Sequence, residues 1–112
     1  AGIECAIVKS GNTPYFLDFD AHNGNIFNRM LAEIVGCKFL IADFTTQNPG
    51  VYYEAGYAKA LGKTVIHTCK QSDFVNVHFD IKQTQFVIWE TQDDLALKLS
   101  QQIKKSNLEG VN

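Results

Sequence analysis

The feature that most constrains the fold is a short apolar run that leads through a polar loop into a helix. Phe39–Ala42 is continuously apolar, which is typical of a strand covered by protein on both faces. A helix is predicted from Asn48, a good N-cap residue, and Pro49, a good first helical residue, to a stop at Gly62. Strand, loop and helix in this order indicate one unit of a parallel α/β sheet.

Other apolar runs and helical patterns alternate in the same way along the chain. The predicted neighbours are a helix at Ile3–Ile7, a strand at Tyr15–Leu17, a helix at Ile26–Ile34, strands at Thr64–His67 and Gln85–Trp89, and a helix that opens near Thr91. This alternation predicts a three-layer α/β domain with a mostly parallel sheet. Doubly wound sheets usually begin with a central strand, whereas this chain opens on a helix. We therefore expect a first strand upstream of residue 1, missing from this chain together with part of the binding site.

Two predicted helices have clear packing faces. The residues expected to face the core are Val51, Ala55, Ala58 and Gly62 of the central helix, and Leu95, Leu99 and Ile103 of the last helix. The last helix follows a capping-box pattern at Thr91–Asp94, which also places acidic residues in its first turn.

Composition narrows the class of protein. At 112 residues the chain is expected to form a single domain, 1–112, since about 150 residues is typical of one domain. A hydrophobic fraction of 46% excludes intrinsic disorder. Ten basic and twelve acidic residues, with no basic run longer than Lys104–Lys105, argue against nucleic acid as a partner. No apolar stretch approaches the ~20 residues that span a bilayer, so no membrane partner is expected.

Cysteine and histidine residues are few and scattered. Cys5, Cys37 and Cys69 form an odd set without metal or redox spacing, so we expect free thiols in a reducing, cytoplasmic compartment. The three histidines also lack ligand spacing, and neither a metal site nor another cofactor is expected.

Glu54 is the most informative acidic residue. At about 100° per residue it falls on the flank of the apolar face of the central helix, where a carboxylate should be partly buried. Such a group needs a hydrogen-bond partner, a raised pKa or an opening into a pocket. Gly50 and Gly56 leave room for a ligand beside it, and the nearby helix N-terminus favours an anionic group such as phosphate. The alternative is an ordinary ion pair at a helix edge.

Further candidates lie where parallel sheets usually bind ligands, beyond the carboxyl ends of strands. Asp43 is a candidate for binding a sugar hydroxyl or transferring a proton, and its alternative role is to cap the next turn. Thr45 and Asn48 have a similar pair of alternatives: each could contact a phosphate or sugar, or could serve only to form the turn.

Two loop residues and one aromatic residue complete the candidates. Asp18 and His22 follow the predicted strand at Tyr15–Leu17 and belong to the same edge, unless they simply form a solvated loop. Tyr53 is a candidate for stacking on a base, although packing is the usual role of such a ring.

The motif Asn48–Ala58, followed by Leu61–Ile66, resembles the signature region of the nucleoside 2-deoxyribosyltransferase-like superfamily. That superfamily includes deoxyribosyltransferases and deoxynucleoside 5′-monophosphate N-glycosidases, and is related in fold to TIR-like nucleotide-binding domains. The strand end Ala42–Thr45 and the pairing of Phe79–Ile81 with Phe86–Trp89 are similar as well. The resemblance implies a flavodoxin-like or Rossmann-like fold.

The resemblance also implies an activity and residue roles. Glu54 would be the nucleophile that attacks the anomeric carbon of a nucleoside or nucleotide and expels the base, through an oxocarbenium-like transition state. Asp43 would be a sugar or proton-transfer partner, and Asn48 a phosphate or sugar contact. Members of this group often complete their sites across subunits, so a homo-oligomer is expected.

Two other functions remain open from the sequence. One is a non-catalytic nucleotide-binding or sensing module in which Glu54 holds ribose hydroxyls. The other is a TIR-like NAD glycohydrolase, which would use the same carboxylate nucleophile on a different substrate.

Overall fold

The computed structural model describes residues 2–14, 31–47, 49–77 and 84–110. The helices and strands of these residues are α1 (Gly2–Lys9), α2 (31–36), β1 (Phe39–Asp43), α3 (Pro49–Ala60), β2 (Thr64–Lys70), β3 (Phe86–Trp89) and α4 (Gln92–Lys105). Short 3-10 turns follow β1 and β2, at Thr45–Gln47 and Gln71–Asn76. The predicted strand Tyr15–Leu17 and the first part of the predicted helix Ile26–Ile34 lie outside the described residues.

The three strands form a parallel sheet in the order β1-β2-β3. Phe39 lies opposite Thr64 at one end of the first strand pair, and Asp43 lies opposite Thr68 at the other. Helices flank this sheet, which confirms the predicted α/β class and is compatible with a Rossmann-like or flavodoxin-like fold. Because all strands run the same way, their carboxyl ends meet at one edge.

The core has two parts, one on each face of the sheet. Ile66 packs with Ala6 of α1 and with the inner face of α4, whereas Cys69 packs with Ala55 of α3. Side chains alternate between the two faces along a strand, so residues 66 and 69 of β2 point to opposite layers. The sheet is therefore the middle layer between α1 with α4 on one side and α3 on the other.

Helix α4 begins where the capping pattern predicts. The side chain of Thr91 accepts a hydrogen bond of 3.1 Å from the Asp94 amide, and the Asp94 carboxylate accepts one of 3.0 Å from the Glu90 amide. Leu95, Leu99 and Ile103 of the inner face are buried, as their spacing predicts.

Helix α3 matches its predicted face except at its end. Ala55 and Ala58 are buried, but Gly62 is exposed and does not pack on the sheet. Gly62 has φ of 78°, and its amide and that of Lys63 donate to the carbonyls of Lys59 and Ala58. This is the Schellman arrangement that ends helices at a left-handed glycine, so Gly62 terminates the helix and is not part of its face.

Strand β2 is longer than predicted. The apolar pattern indicates an end at His67, whereas the strand continues to Lys70. Thr68 is 0% exposed inside this extension, where its hydroxyl donates to the Asp43 carboxylate on the neighbouring strand. Among the described residues no helix is long and apolar enough to cross a membrane.

Candidate functional site

A cavity of about 680 Å³ runs along the whole length of β1. Its walls are β1, the inner side of α1 with the loop that follows it, the end of α2, and one flank of α3. The polar and charged residues that line it are Asn12, Thr13, Glu33, Cys37, Lys38, Asp43 and Glu54. Most of the remaining described lining is aliphatic, and the volume is within the range of roughly 300–1,000 Å³ that small-molecule sites occupy.

Glu54 reaches this cavity from the flank of α3. Its side chain is half-buried, and no described residue donates a hydrogen bond to it or forms an ion pair with it. Burial raises the pKa of the Glu54 carboxyl from its ordinary value of 4.5 to about 7, since the charged form loses hydration. The helical position predicts a hydrogen-bond partner, a raised pKa or an opening into a pocket. The structure shows the last two of these together.

Asp43 also lines the cavity, but its carboxylate is occupied by three donors. Oδ1 accepts from the Thr45 amide at 2.9 Å, while Oδ2 accepts from the Thr68 hydroxyl at 2.6 Å and from the Trp89 indole N–H at 3.0 Å. Asp43, Thr68 and Trp89 lie at or near the carboxyl ends of the three strands. We call this group the Asp43 strap, because one carboxylate holds all three strand ends together.

The turn after β1 is built from unusual backbone angles. Thr46 has φ of 71° and Gln47 has φ of 56°, a left-handed conformation that is uncommon for a β-branched residue such as threonine. The Asp73 carboxylate accepts from the Gln47 side chain at 3.0 Å and from the Thr46 amide at 2.8 Å. These hydrogen bonds, together with one from Asn76, lower the pKa of Asp73.

The remaining predicted residues lie away from the cavity or outside the described chain. Thr45 does not line it, because its hydroxyl accepts from the Lys70 amide at 2.9 Å and closes the turn. Gly50 is buried in the first turn of α3, and Tyr53 is 47% exposed, stacked against Tyr57 on the solvent side. Asn48, Asp18 and His22 lie outside the described residues. The cavity thus brings together Glu54 and Asp43.

Sequence reasoning missed the residues at the cavity entrance. The Lys38 ammonium donates to the Asn12 side-chain oxygen and to the Glu109 carbonyl, both at 3.1 Å. The Asn12 side-chain amide in turn donates to the Leu108 carbonyl at 2.9 Å. These partners are 26 to 96 residues apart in sequence, and no local motif connects them.

His67 packs among aromatic rings. Its ring is stacked on Phe44, with centroids 5.5 Å apart, and is tilted against Phe86 at 5.3 Å. Burial, and secondarily the nearby Lys59, lower the pKa of His67, so the neutral imidazole is favoured. Within the part of the chain that the structure describes, no group of three or more His, Cys, Asp or Glu residues is placed to hold a metal ion.

Comparison of the chain with models of known protein families, with curated proteins and with solved structures found no match. The resemblance carried by Asn48–Ala58 therefore stays a prediction from the motif.

Proposed function

We propose that the protein cleaves the N-glycosidic bond of a nucleoside or nucleotide, with Glu54 as the nucleophile. The observation that carries the proposal is a half-buried carboxyl group, without a partner among the described residues, at the wall of a cavity of about 680 Å³. A carboxyl group kept in this state costs stability, and such groups are concentrated at functional sites.

The reaction follows from the charge that develops on the sugar. As the bond to the base breaks, the anomeric carbon becomes cationic, and a carboxylate in a partly desolvated site stabilises that charge more strongly than it would in water. Attack by the Glu54 oxygen then forms a glycosyl ester. Water, or a second base, attacks the same carbon and releases the carboxylate, so two inversions give net retention of configuration.

Asp43 is assigned to sugar binding and to positioning. An ionised carboxylate has about four acceptor sites, and three of those on Asp43 are occupied by the strap. The described donors therefore leave one acceptor site for a sugar hydroxyl at the cavity wall. Proton transfer by Asp43 has less support, since both of its oxygens already accept hydrogen bonds within the protein.

The test is base release measured by chromatography. The chain is incubated with a panel of nucleosides, their 5′-monophosphates and NAD, in parallel with Glu54→Gln. We expect base release by the wild-type chain and a loss of at least about 10³-fold in Glu54→Gln. Glu4→Gln, on the exposed side of α1, is the matched control and should retain activity. Unchanged turnover by Glu54→Gln would remove the assignment.

The engagement of Asp43 in the strap also favours a second candidate function. Asp43 is committed to internal hydrogen bonds, whereas Glu54 lines the cavity without a partner among the described residues. One such carboxylate suffices to hold ribose hydroxyls. A binding or sensing module would bind members of the same panel in calorimetry without releasing a base.

A further inference from the structure

The charges on the cavity wall are unevenly distributed. Among the described lining residues the charged ones are Glu33, Asp43 and Glu54, which are acidic, and Lys38, which is basic. The remaining described lining is uncharged at neutral pH and largely aliphatic. A ligand in this cavity therefore meets more carboxyl groups than ammonium groups along the described walls.

The ammonium group of Lys38 already has acceptors. It bridges the Asn12 side chain and the Glu109 carbonyl, each at 3.1 Å, and lies at the exposed entrance. An ammonium group has three N–H donors, so one remains for a ligand beside these two acceptors. Pro49 and Gly50 do not line the cavity, so of the described first turn of α3 Val51 alone presents a helix-end N–H to a ligand there. With three carboxyl groups against one ammonium group, the described walls nevertheless favour a ligand without phosphate.

The departure of the base sets a second requirement. A neutral base normally needs a proton as it leaves, whereas a positively charged base leaves as a neutral molecule without one. Asp43 is held as an acceptor by three donors, and Glu54 is assigned to attack, so neither is placed to supply that proton. Glu33 is the remaining described carboxyl group of the cavity, and the variant Glu33→Gln shows whether it supplies a proton.

On the basis of the proposed function, we infer that the substrate is a nucleoside with a positively charged base and no 5′-phosphate, such as a pyridinium riboside or an N7-alkylated purine nucleoside. The cationic base is attracted by the carboxyl groups that would repel a phosphate.

The bonds and charges balance without a co-reactant other than water. The Glu54 carboxylate forms a C–O bond to the anomeric carbon while the C–N bond breaks, and the electron pair of that bond neutralises the ring nitrogen. Water then attacks the anomeric carbon of the ester and displaces the carboxylate. The products are the free sugar, the neutral base and one proton released to solvent.

The experiment uses two matched pairs of substrates with the whole chain. N7-methylguanosine against guanosine changes the charge of the base, and nicotinamide riboside against its 5′-mononucleotide adds only a phosphate. Each kcat/KM is divided by the spontaneous hydrolysis rate of the same compound, because cationic nucleosides are intrinsically labile. We expect the cationic member and the unphosphorylated member to be favoured by at least about tenfold.

Two variants identify the groups responsible. Glu33→Gln should raise KM for N7-methylguanosine several-fold with little change in kcat, because it removes an attractive charge and no reacting group. Lys38→Met should leave the preference between nicotinamide riboside and its mononucleotide unchanged. A Lys38→Met loss confined to the mononucleotide would overturn the inference, since Lys38 would then be the phosphate contact.

The outcomes for the inference and for the proposed function are separable. Equal acceleration of guanosine and N7-methylguanosine, or a preference for the mononucleotide, overturns the inference while base release itself upholds the proposed function. A fall in kcat for guanosine in Glu33→Gln would likewise overturn it, by showing that Glu33 protonates a neutral base. Failure to cleave any member of the panel overturns both.

Discussion

At the scale of single residues, Glu54 is both the proposed nucleophile of the cavity and a group whose burial lowers the stability of the fold. Its pKa of about 7 means that the folded chain holds a proton that the unfolded chain, with an ordinary value of 4.5, has already released. Between these values the folded state binds more protons than the unfolded state, so the free energy of unfolding falls as pH rises. Above about pH 7 the ionisation of Glu54 lowers the free energy of unfolding no further.

This linkage predicts a pH-dependent gain in stability for Glu54→Gln. The amide cannot ionise, so relative to wild type the variant should gain about 1–2 kcal/mol between pH 5 and pH 8, a value reduced for the partial exposure of the side chain. Urea unfolding at both pH values measures it. Glu4→Gln should show no such difference between the two pH values. If the stability of Glu54→Gln relative to wild type is also equal at pH 5 and pH 8, the argument from burial of this carboxyl group is contradicted.

At the scale of elements, the Asp43 strap explains how three short strands form a defined sheet edge. Strand β1 provides the carboxylate, while Thr68 of β2 and Trp89 of β3 donate to the same oxygen. Since Thr68 is 0% exposed, its hydroxyl has no access to water as an alternative partner.

We therefore expect Thr68→Val and Trp89→Phe each to lower the free energy of unfolding by about 1–3 kcal/mol. Because the two donors share one acceptor oxygen, the double variant should differ from the sum of the singles by about 0.5 kcal/mol or more. Thr64→Val, at the exposed start of β2, is the control and should change stability little. Strict additivity in urea unfolding would contradict the shared-acceptor geometry.

Two glycines of the α3 region predict opposite effects of the same substitution. Gly56 is inside the helix, and an added Cβ would meet no atom within 4 Å, so Gly56→Ala should stabilise the fold by about 0.5–1 kcal/mol. Gly62 has φ of 78°, so Gly62→Ala should destabilise it by about 1 kcal/mol, although its Cβ would also be unobstructed. Thermal unfolding of both variants measures the contrast, and a shift of the same sign in both would refute the assigned helix end.

How much of each element could be predicted depends on where its partners lie in sequence. Helix α4 was predictable because its cap, Thr91 with Asp94, and its core face are local patterns. The partial burial of Glu54 followed from helical phase alone. The extension of β2 was not predictable, because the acceptor that satisfies Thr68 is 25 residues away.

At the scale of the whole molecule, the cavity depends on segments that meet only after folding. Its entrance joins Asn12, Lys38 and the Glu109 carbonyl, and none of these belongs to a recognisable motif. Propensity and spacing predict which elements exist and which faces they bury. They do not predict which loops come to lie next to each other. The contacts between loops determine which charged groups, such as the Lys38 ammonium, are held at the cavity.

The family resemblance also leads us to propose that the chain forms a homo-oligomer. Light scattering at micromolar concentration gives the molar mass directly, and we expect a value above the 12.5 kDa of one chain. A monomer under these conditions would contradict the proposal without affecting the assignment of Glu54.

The bridge made by Lys38 has a consequence for the electrostatics of the molecule. Residues 108–110 do not line the cavity, yet the carbonyl of Glu109 helps to keep the ammonium group at the entrance. If this segment were displaced, the ammonium would be free to turn inward and partly neutralise the potential that the acidic walls create. The position of a short surface segment would then tune ligand selectivity inside a pocket that it does not touch.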